Sequence, residues 1–237
     1  MTFPTSAPQS ADIQAIFNQI APVYDQLNDA LSLGLHRVWK HMAVSWCNPQ
    51  PGDQGLDVCC GSGDLAQLLA QRVAPTGQVT GLDFSAAQLA IAHQRTTQRV
   101  QPLSVKWVEG DALALPFEAN QFDVATMGYG LRNVVDIPAS LRELHRVLKP
   151  GATIAILDFH RPDSPPMQAF QQWYLEHLVI PTAERFGLKD QYAYLVPSLE
   201  RFPNGRSQVH LAKAAGFQAV THYAIASGMM GVLVARK

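Results

Sequence analysis

The chain is poor in cysteine, in charge and in long apolar runs, and each shortage closes off a class of function. Three cysteines occur in 237 residues: Cys59 and Cys60 are adjacent, and Cys47 stands alone. Neither a metal-ligand spacing nor a disulfide framework is present, so a reducing, cytoplasmic setting without a metal is expected. Charged residues make up 16% of the chain, and 18 Lys and Arg oppose 19 Asp and Glu with no basic block. A nucleic-acid partner is therefore not expected, because such affinity rests on neutralising phosphates. No apolar stretch approaches the roughly 20 residues that cross a bilayer. Met1–Ser10 lacks the basic start and apolar run of a secretory signal and reads as disordered. Membrane contact is expected to be peripheral and transient. The oligomeric state is left open.

What is present is ample apolar content, 47%, arranged in alternating patterns. Short apolar runs predict strands at Leu56–Cys59, Gln78–Leu82, Ser104–Val108, Phe122–Met127 and Thr153–Phe159. Helical spacing between them predicts helices at Asp64–Arg72, Ala86–Gln98 and Pro138–Leu148, with Ser85 as an N-cap and Lys149-Pro150-Gly151 as a stop. Such alternation implies an α/β fold with a largely parallel sheet. Ile13, Ile16, Phe17 and Ile20 predict an amphipathic helix, and Leu35–Trp46 a second one. Beyond Phe159 the pattern turns helical, with one helix over Met167–Ile180 and another over Gln208–Ala215. It then closes on strands Ala219–Ile225 and Gly231–Ala235. Residues 11–237 read as a single domain, in which 11–50 form an N-terminal helical lid and 160–207 a substrate-side helical insertion.

The most specific stretch is Leu56-Asp57-Val58-Cys59-Cys60-Gly61-Ser62-Gly63-Asp64-Leu65, a strand that breaks at glycines and opens a helix. The next strand ends in Asp83, an acid suited to a ribose diol. Gly61-x-Gly63-x-x-Ala66 also fits the dinucleotide fingerprint, so NAD is an alternative ligand, and an oxidoreductase an alternative activity. In that fingerprint a pyrophosphate sits on the helix N-terminus. Asp57 and Asp64 flank the corresponding turn, where they would repel phosphate and attract an ammonium. That charge balance favours S-adenosylmethionine (SAM), which carries an ammonium, a sulfonium and no phosphate.

Together these features resemble the class I SAM-dependent methyltransferases, and more closely the quinone-biosynthesis C-methyltransferases. Ile20-Ala21-Pro22-Val23-Tyr24-Asp25-Gln26-Leu27-Asn28 and Ser32-Leu33-Gly34-Leu35-His36-Arg37-Val38-Trp39-Lys40 look like that family's N-terminal signature. Gly110-Asp111-Ala112-Leu113-Ala114-Leu115-Pro116-Phe117 looks like its adenine-side loop, and Gly130-Leu131-Arg132-Asn133-Val134 like the loop after its fourth strand. The Cys pair with Ser62 reads like the branch that serves phylloquinone. The resemblance implies a Rossmann-like, seven-stranded, mostly parallel sheet. It also implies methylation of a prenylated naphthoquinol carbon, with menaquinone and ubiquinone precursors as alternative acceptors.

It further implies roles for residues. Asp83, beside Phe84, would accept from the ribose hydroxyls, and Gly61 and Gly63 would allow close approach. Ser62 would bind the methionine part, Asp57 and Asp64 its ammonium, and Asp111 and Ala112 the adenine. Arg132 is the first choice for holding the quinol oxygen, a structural ion pair being the alternative. Tyr24 would bond substrate or close over the cofactor. His36 and His160 are candidate proton acceptors, with a capping or solvated role as the other reading. Phe170, Trp173, Tyr174, Leu178, Phe186, Tyr192 and Tyr194 are candidates for an apolar channel. Ile13, Ile16, Phe17 and Ile20 are candidates for touching a membrane surface.

Overall fold

The computed structural model describes residues 10–21, 29, 32, 34–185, 187–188 and 195–237. Five strands are β1 (Gln54–Val58), β2 (Gln78–Asp83), β3 (Val105–Glu109), β4 (Phe122–Gly128) and β5 (Leu148–Phe159); β6 (Ala219–Ile225) and β7 (Met230–Arg236) follow. They form a seven-stranded sheet in the order β3-β2-β1-β4-β5-β7-β6. The first five strands pair in parallel, and β7 runs antiparallel to both β5 and β6. Strand order reverses between β1 and β4, the switch point at which open α/β sheets hold ligands. Register brings Val58 level with Leu82 on one side and with Met127 on the other, so the three strand ends open onto the same crevice.

Helices cover both faces: α1 (Ser10–Ile20), α2 (Leu35–Trp46), α3 (Asp64–Val73), α4 (Ala86–Thr97) and α5 (Ile137–Val147). Alternation along β5 shows why two layers are needed. Ile154 and Ile156 pack with Leu56, Val58, Met127 and Leu144, whereas Ala155 and Leu157 pack on the other face with Val44, Leu69 and Val232. The helix starts follow capping chemistry. Ser85 Oγ accepts from the Gln88 N–H of α4, and Asp136 accepts from Ala139 N–H at 2.9 Å, next to Pro138, in α5.

Three local expectations need correction. Lys149-Pro150-Gly151 is no simple stop, because β5 already begins at Leu148, paired with Phe122. The register then shifts before Val124 meets Thr153, and Gly151 takes a left-handed φ of 84° to absorb the irregularity. The long helix expected over Met167–Ile180 is α6 (Pro165–Tyr174), continued through a π-helical turn at Leu175–Val179 into α7 (Ile180–Arg185). Short helices α8 (Leu195–Arg201) and α9 (Gly205–Ala214) lead into β6. Ile13 is buried, so it does not face a membrane, and α1 packs on α4. The side chains of Phe17 and Ile20 lie outside the described residues, as do Tyr24, Phe186, Tyr192, Tyr194 and the expected disorder of the first nine positions.

Candidate ligand-binding site

A cleft of about 660 Å³, counting its open mouth, lies over the C-terminal ends of β1–β4. That is within the range of cavities that hold small ligands. Its wall combines Cys59 and Gly61 after β1, Asp83 and Phe84 at β2, Asp111 and Ala112 after β3, and Tyr129, Gly130 and Asn133 after β4. Four separate strand ends thus converge, as the parallel register requires. The loop after β5 contributes no wall residue. On both sides of the switch point a non-glycine residue takes a left-handed backbone: Cys59 at φ 55° and Tyr129 at φ 58°. Such strain concentrates where a fold shapes a ligand site.

Asp83 organises one corner. Its Oδ2 accepts from Gly61 N–H at 2.8 Å, and its Oδ1 from Ser85 N–H at 2.9 Å. Burial raises its pKa, while the Ser85 and Gly61 N–H groups pull it back. An anchored carboxylate on the cleft wall can accept from hydroxyl donors, each oxygen keeping capacity beyond its backbone donor. Opposite, Asp111 Oδ1 accepts from Leu113 N–H at 2.9 Å, which shapes the turn that presents Asp111 and buried Ala112 to the cleft.

The two glycines of the turn do different work. A Cβ on Gly61, at φ 52°, would meet nothing nearer than Gln88 Oε1 at 3.8 Å, so Gly61 is open on the ligand side. A Cβ on Gly63 would fall 2.5 Å from Trp107 Cη2 and 3.1 Å from Ala92 Cβ. On the side a Cβ would occupy, Gly63 therefore packs the start of α3 against β3 and α4, and it is not among the residues lining the cleft. Ser62 is buried within the same turn.

Both flanking acids lie at the ends of the glycine turn, but neither lines the cleft. Asp57 is fully buried inside β1 and contributes nothing to the cleft wall. Its Oδ1 accepts from Thr126 Oγ1 at 2.8 Å, and Oδ2 has no partner among the described residues. Burial pushes its pKa up to about 7, against the Thr126 bond. Asp64 is clamped by Lys40 Nζ at 2.6 Å and Arg95 Nη1 at 3.3 Å. Burial raises its pKa, but the Lys40 charge and hydrogen bond outweigh that and hold the carboxyl below its ordinary value. The two carboxylates thus present no bare negative pair to a ligand.

Arg132 sits in the 3₁₀ turn Leu131–Asn133, outside the cleft lining. Its Nε lies 3.1 Å from Asp158 Oδ1, a charge contact that falls short of hydrogen-bond geometry. Nη1 donates to Asn133 Oδ1 at 2.8 Å and to Ser198 Oγ at 3.2 Å, and the guanidinium lies over the Phe159 ring. The ion-pair reading of Arg132 is the one this geometry matches, since its charge is already spent on buried Asp158. His36 is likewise outside the cleft: buried in α2, with Nδ1 2.8 Å from Ser32 Oγ and Nε2 3.6 Å from Asp29. Burial, then the Lys40 charge, holds its pKa below the ordinary imidazole value, with Asp29 and Asp64 opposing. His160 is buried against His222, ring centroids 4.7 Å apart, rather than in the cleft.

Sequence reasoning missed Gln88 and Asn133. Both line the cleft, and Asn133 is fixed by donating to Tyr129 O at 2.9 Å. Gly130-Leu131-Arg132-Asn133 drew attention to its arginine, while the amide beside it is the residue that reaches the wall.

Comparison with known proteins adds what geometry alone lacks. A crystal structure of a SAM-dependent methyltransferase from Aquifex aeolicus superposes with a TM-score of 0.60 at 17% identity, covering 83% of this chain and 88% of that one. The [4+2]-cyclase SpnF superposes at 0.64 with 20% identity, over 98% and 97%. A cyclase and a methyltransferase sharing one architecture shows that the fold does not fix the reaction. Sequence is more specific. A 2-phytyl-1,4-naphtoquinone methyltransferase of Nostoc sp. is 61% identical over 95% of this chain and 98% of its own. The model of the ubiE/COQ5 methyltransferase family matches residues 5–237, and this chain, with its class I methyltransferase sheet, belongs to that family.

Proposed function

We propose that the chain methylates a ring carbon of 2-phytyl-1,4-naphthoquinol, with SAM as the methyl donor. The observation that carries this reading is 61% identity, across nearly the whole of both chains, to a relative named for the corresponding quinone. The cleft supports it, since an anchored acceptor at Asp83, an open glycine at Gly61 and the Asp111–Ala112 turn fit a ribose, a close-lying chain and an adenine. SAM supplies an electrophilic methyl group on a sulfonium. The residues have to hold it, exclude water and admit an acceptor in line, about 3–3.5 Å from the methyl. The acceptor is the reduced quinol, because an oxidised quinone ring is itself electrophilic. Loss of a phenolic proton places charge on the neighbouring ring carbon, which attacks the methyl group as the S–CH3 bond breaks to give S-adenosylhomocysteine; loss of the proton from that carbon then restores the aromatic quinol.

In this reading Val134 and Val135 give the cleft mouth an apolar edge for the ring. Tyr24 remains a candidate to bond the quinol. Helix α1 acts as a cover, since Gln14 donates to Phe84 O and Ser85 Oγ donates to Asn18 Oδ1, both beside the ribose corner. Among the described residues no helix is long and apolar enough to cross a membrane. A phytyl chain nonetheless partitions into lipid, so contact at the cytoplasmic membrane face belongs to the proposal. Helix α6 supports it, since Phe170 and Trp173 are 45% and 48% exposed and their rings stack.

The test supplies SAM with dithionite-reduced demethylated acceptors carrying phytyl, menaquinone-type or ubiquinone-type tails, and reads products by mass spectrometry. The expected result is a gain of one CH2 on the reduced phytyl acceptor. Turnover on oxidised acceptors alone, or none with SAM, overturns the reading.

A further inference from the structure

Gln88 is a buried amide with both of its polar atoms unpaired among the described residues. It stands in the first turn of α4, is 1% exposed, and lines the cleft. Neither Nε2 nor Oε1 has a partner among the described residues. Buried side-chain amides are nearly always satisfied, and each exception calls for an explanation. The local one would be a capping box, since Ser85-Ala86-Ala87-Gln88 has the spacing in which the third helical residue reaches back to the N-cap N–H. Half of that box is present: Gln88 N–H donates to Ser85 Oγ at 3.2 Å. The other half is pre-empted, because Ser85 N–H already donates to Asp83 Oδ1 at 2.9 Å. Asp83 thereby frees the Gln88 amide from its structural task.

The freed amide shares a corner with Asp83. Its Oε1 lies 3.8 Å from where a Cβ on Gly61 would stand, and Gly61 N–H is bonded to Asp83 Oδ2. A ligand group filling this corner has to satisfy one acceptor-only carboxylate together with an amide that offers both a donor and an acceptor. A carboxylate would be repelled by Asp83 and would leave Oε1 unpaired. An ammonium would leave Nε2 unpaired. A hydroxyl both donates and accepts, so a vicinal diol satisfies all three groups.

We infer that Gln88 is a ribose-binding residue, its amide completing with Asp83 a three-point site for the diol of the methyl donor. The inference rests on the proposed SAM reading of the cleft. It makes Gln88 a determinant of affinity for the nucleoside half of the ligand, with no part in the methyl transfer itself.

Calorimetric titration of the full chain with S-adenosylhomocysteine and with its 2′- and 3′-deoxyribose analogues tests it, in wild type, Gln88→Met and Gln88→Ala. Both variants are expected to bind S-adenosylhomocysteine roughly tenfold more weakly, the effect of one or two lost hydrogen bonds. On at least one deoxy analogue that loss should shrink to about twofold or less, because the hydroxyl is already missing. Thermal unfolding without ligand should show Gln88→Met as stable as wild type or more so, since an unpaired amide is removed. Undiminished binding by Gln88→Met alongside normal wild-type binding overturns the ribose role and leaves the SAM reading intact. An equal loss on all ligands, with a lowered melting temperature, makes Gln88 a structural residue and also overturns it. Wild type that ignores S-adenosylhomocysteine overturns the SAM reading and this inference together.

Discussion

Replacing Gly63 by alanine separates a glycine that faces a ligand from one that packs a helix against a sheet. In the structure it packs. Its φ of 87° costs an L-residue about 1–2 kcal/mol. The added Cβ would also fall 2.5 Å from Trp107 Cη2 and 3.3 Å from Trp107 Cζ2, with Ala92 Cβ at 3.1 Å on the other side. Trp107 also lies against bare Gly81, its Cζ3 2.4 Å from where a Cβ on Gly81 would stand, so the indole is packed against both glycines. Overpacking of this kind costs about 1–3 kcal/mol. Together the two effects come to about 2–5 kcal/mol, or a fall in Tm of about 5–15 °C for a chain of this size.

The assay is thermal unfolding of the four members of a cycle: wild type, Gly63→Ala, Trp107→Phe and the double variant. Phenylalanine lacks the indole atoms that meet the new methyl. The double variant should therefore be more stable than the sum of the singles by about 1–2 kcal/mol, with the backbone strain remaining. Gly61→Ala is the control. Its Cβ has open space, so it should keep Tm within a few degrees, the cost of its φ of 52°, while weakening the ligand. A Gly63→Ala protein that melts like wild type but has lost S-adenosylhomocysteine binding would refute this division of labour.

Asp83→Asn presents an NH2 to either Gly61 N–H or Ser85 N–H. It should cost about 1–3 kcal/mol of stability and roughly 10–100-fold in S-adenosylhomocysteine affinity, read by denaturant titration and calorimetry. Arg132→Ala strands Asp158 in the core and should cost about 3–5 kcal/mol. Burial already raises the Asp158 pKa, so protonation offsets part of that cost in acid, and the loss measured by urea unfolding should be larger at pH 8 than at pH 5. His222 is pushed down to about 4 by burial, then by His160, with Asp163 opposing. Its folded pKa lies below the ordinary imidazole value of 6.5, so its neutral form stabilises the fold above pH 6.5 and that contribution is lost as the pH falls towards 4. His222→Leu should flatten the stability profile between pH 7 and 5 by about 1 kcal/mol, allowing for solvent screening.

The sheet was legible because each strand carries its own evidence: an apolar run bounded by turn residues, and Asp83 or a glycine where the chain leaves the sheet. Leu35–Trp46 and Ala219–Ile225 match the elements residue for residue. The irregular start of β5 was not legible, since Lys149-Pro150-Gly151 has the composition of a stop whether or not a neighbouring strand holds it. The cleft lining was legible wherever it is local in sequence, as at Gly61, Asp83 and Asp111. It was not legible where a partner comes from far along the chain. Nothing in the surroundings of Asp64 announces Lys40, 24 positions earlier, and nothing around Arg132 announces Asp158 and Ser198. Gln88 was hidden for another reason: its Ser-x-x-Gln setting has an ordinary structural explanation, which fails only once Asp83 is seen holding the Ser85 N–H.

Charge at the glycine turn does not separate SAM from a dinucleotide. Asp57 is sealed in the sheet with a pKa of about 7, and Asp64 is outnumbered by Lys40 and Arg95. Counted by charge alone, the start of α3 would tolerate a phosphate. The discrimination is steric and lies in the second glycine. In the dinucleotide fingerprint that residue lets the backbone approach a pyrophosphate, and only the third position serves helix–strand packing. Here Gly63 already performs the packing task, its bare α-carbon turned to Trp107 and Ala92. The Gly61-x-Gly63-x-x-Ala66 spacing therefore matches the fingerprint, while Gly63 spends on the indole the side that a close-lying pyrophosphate would share.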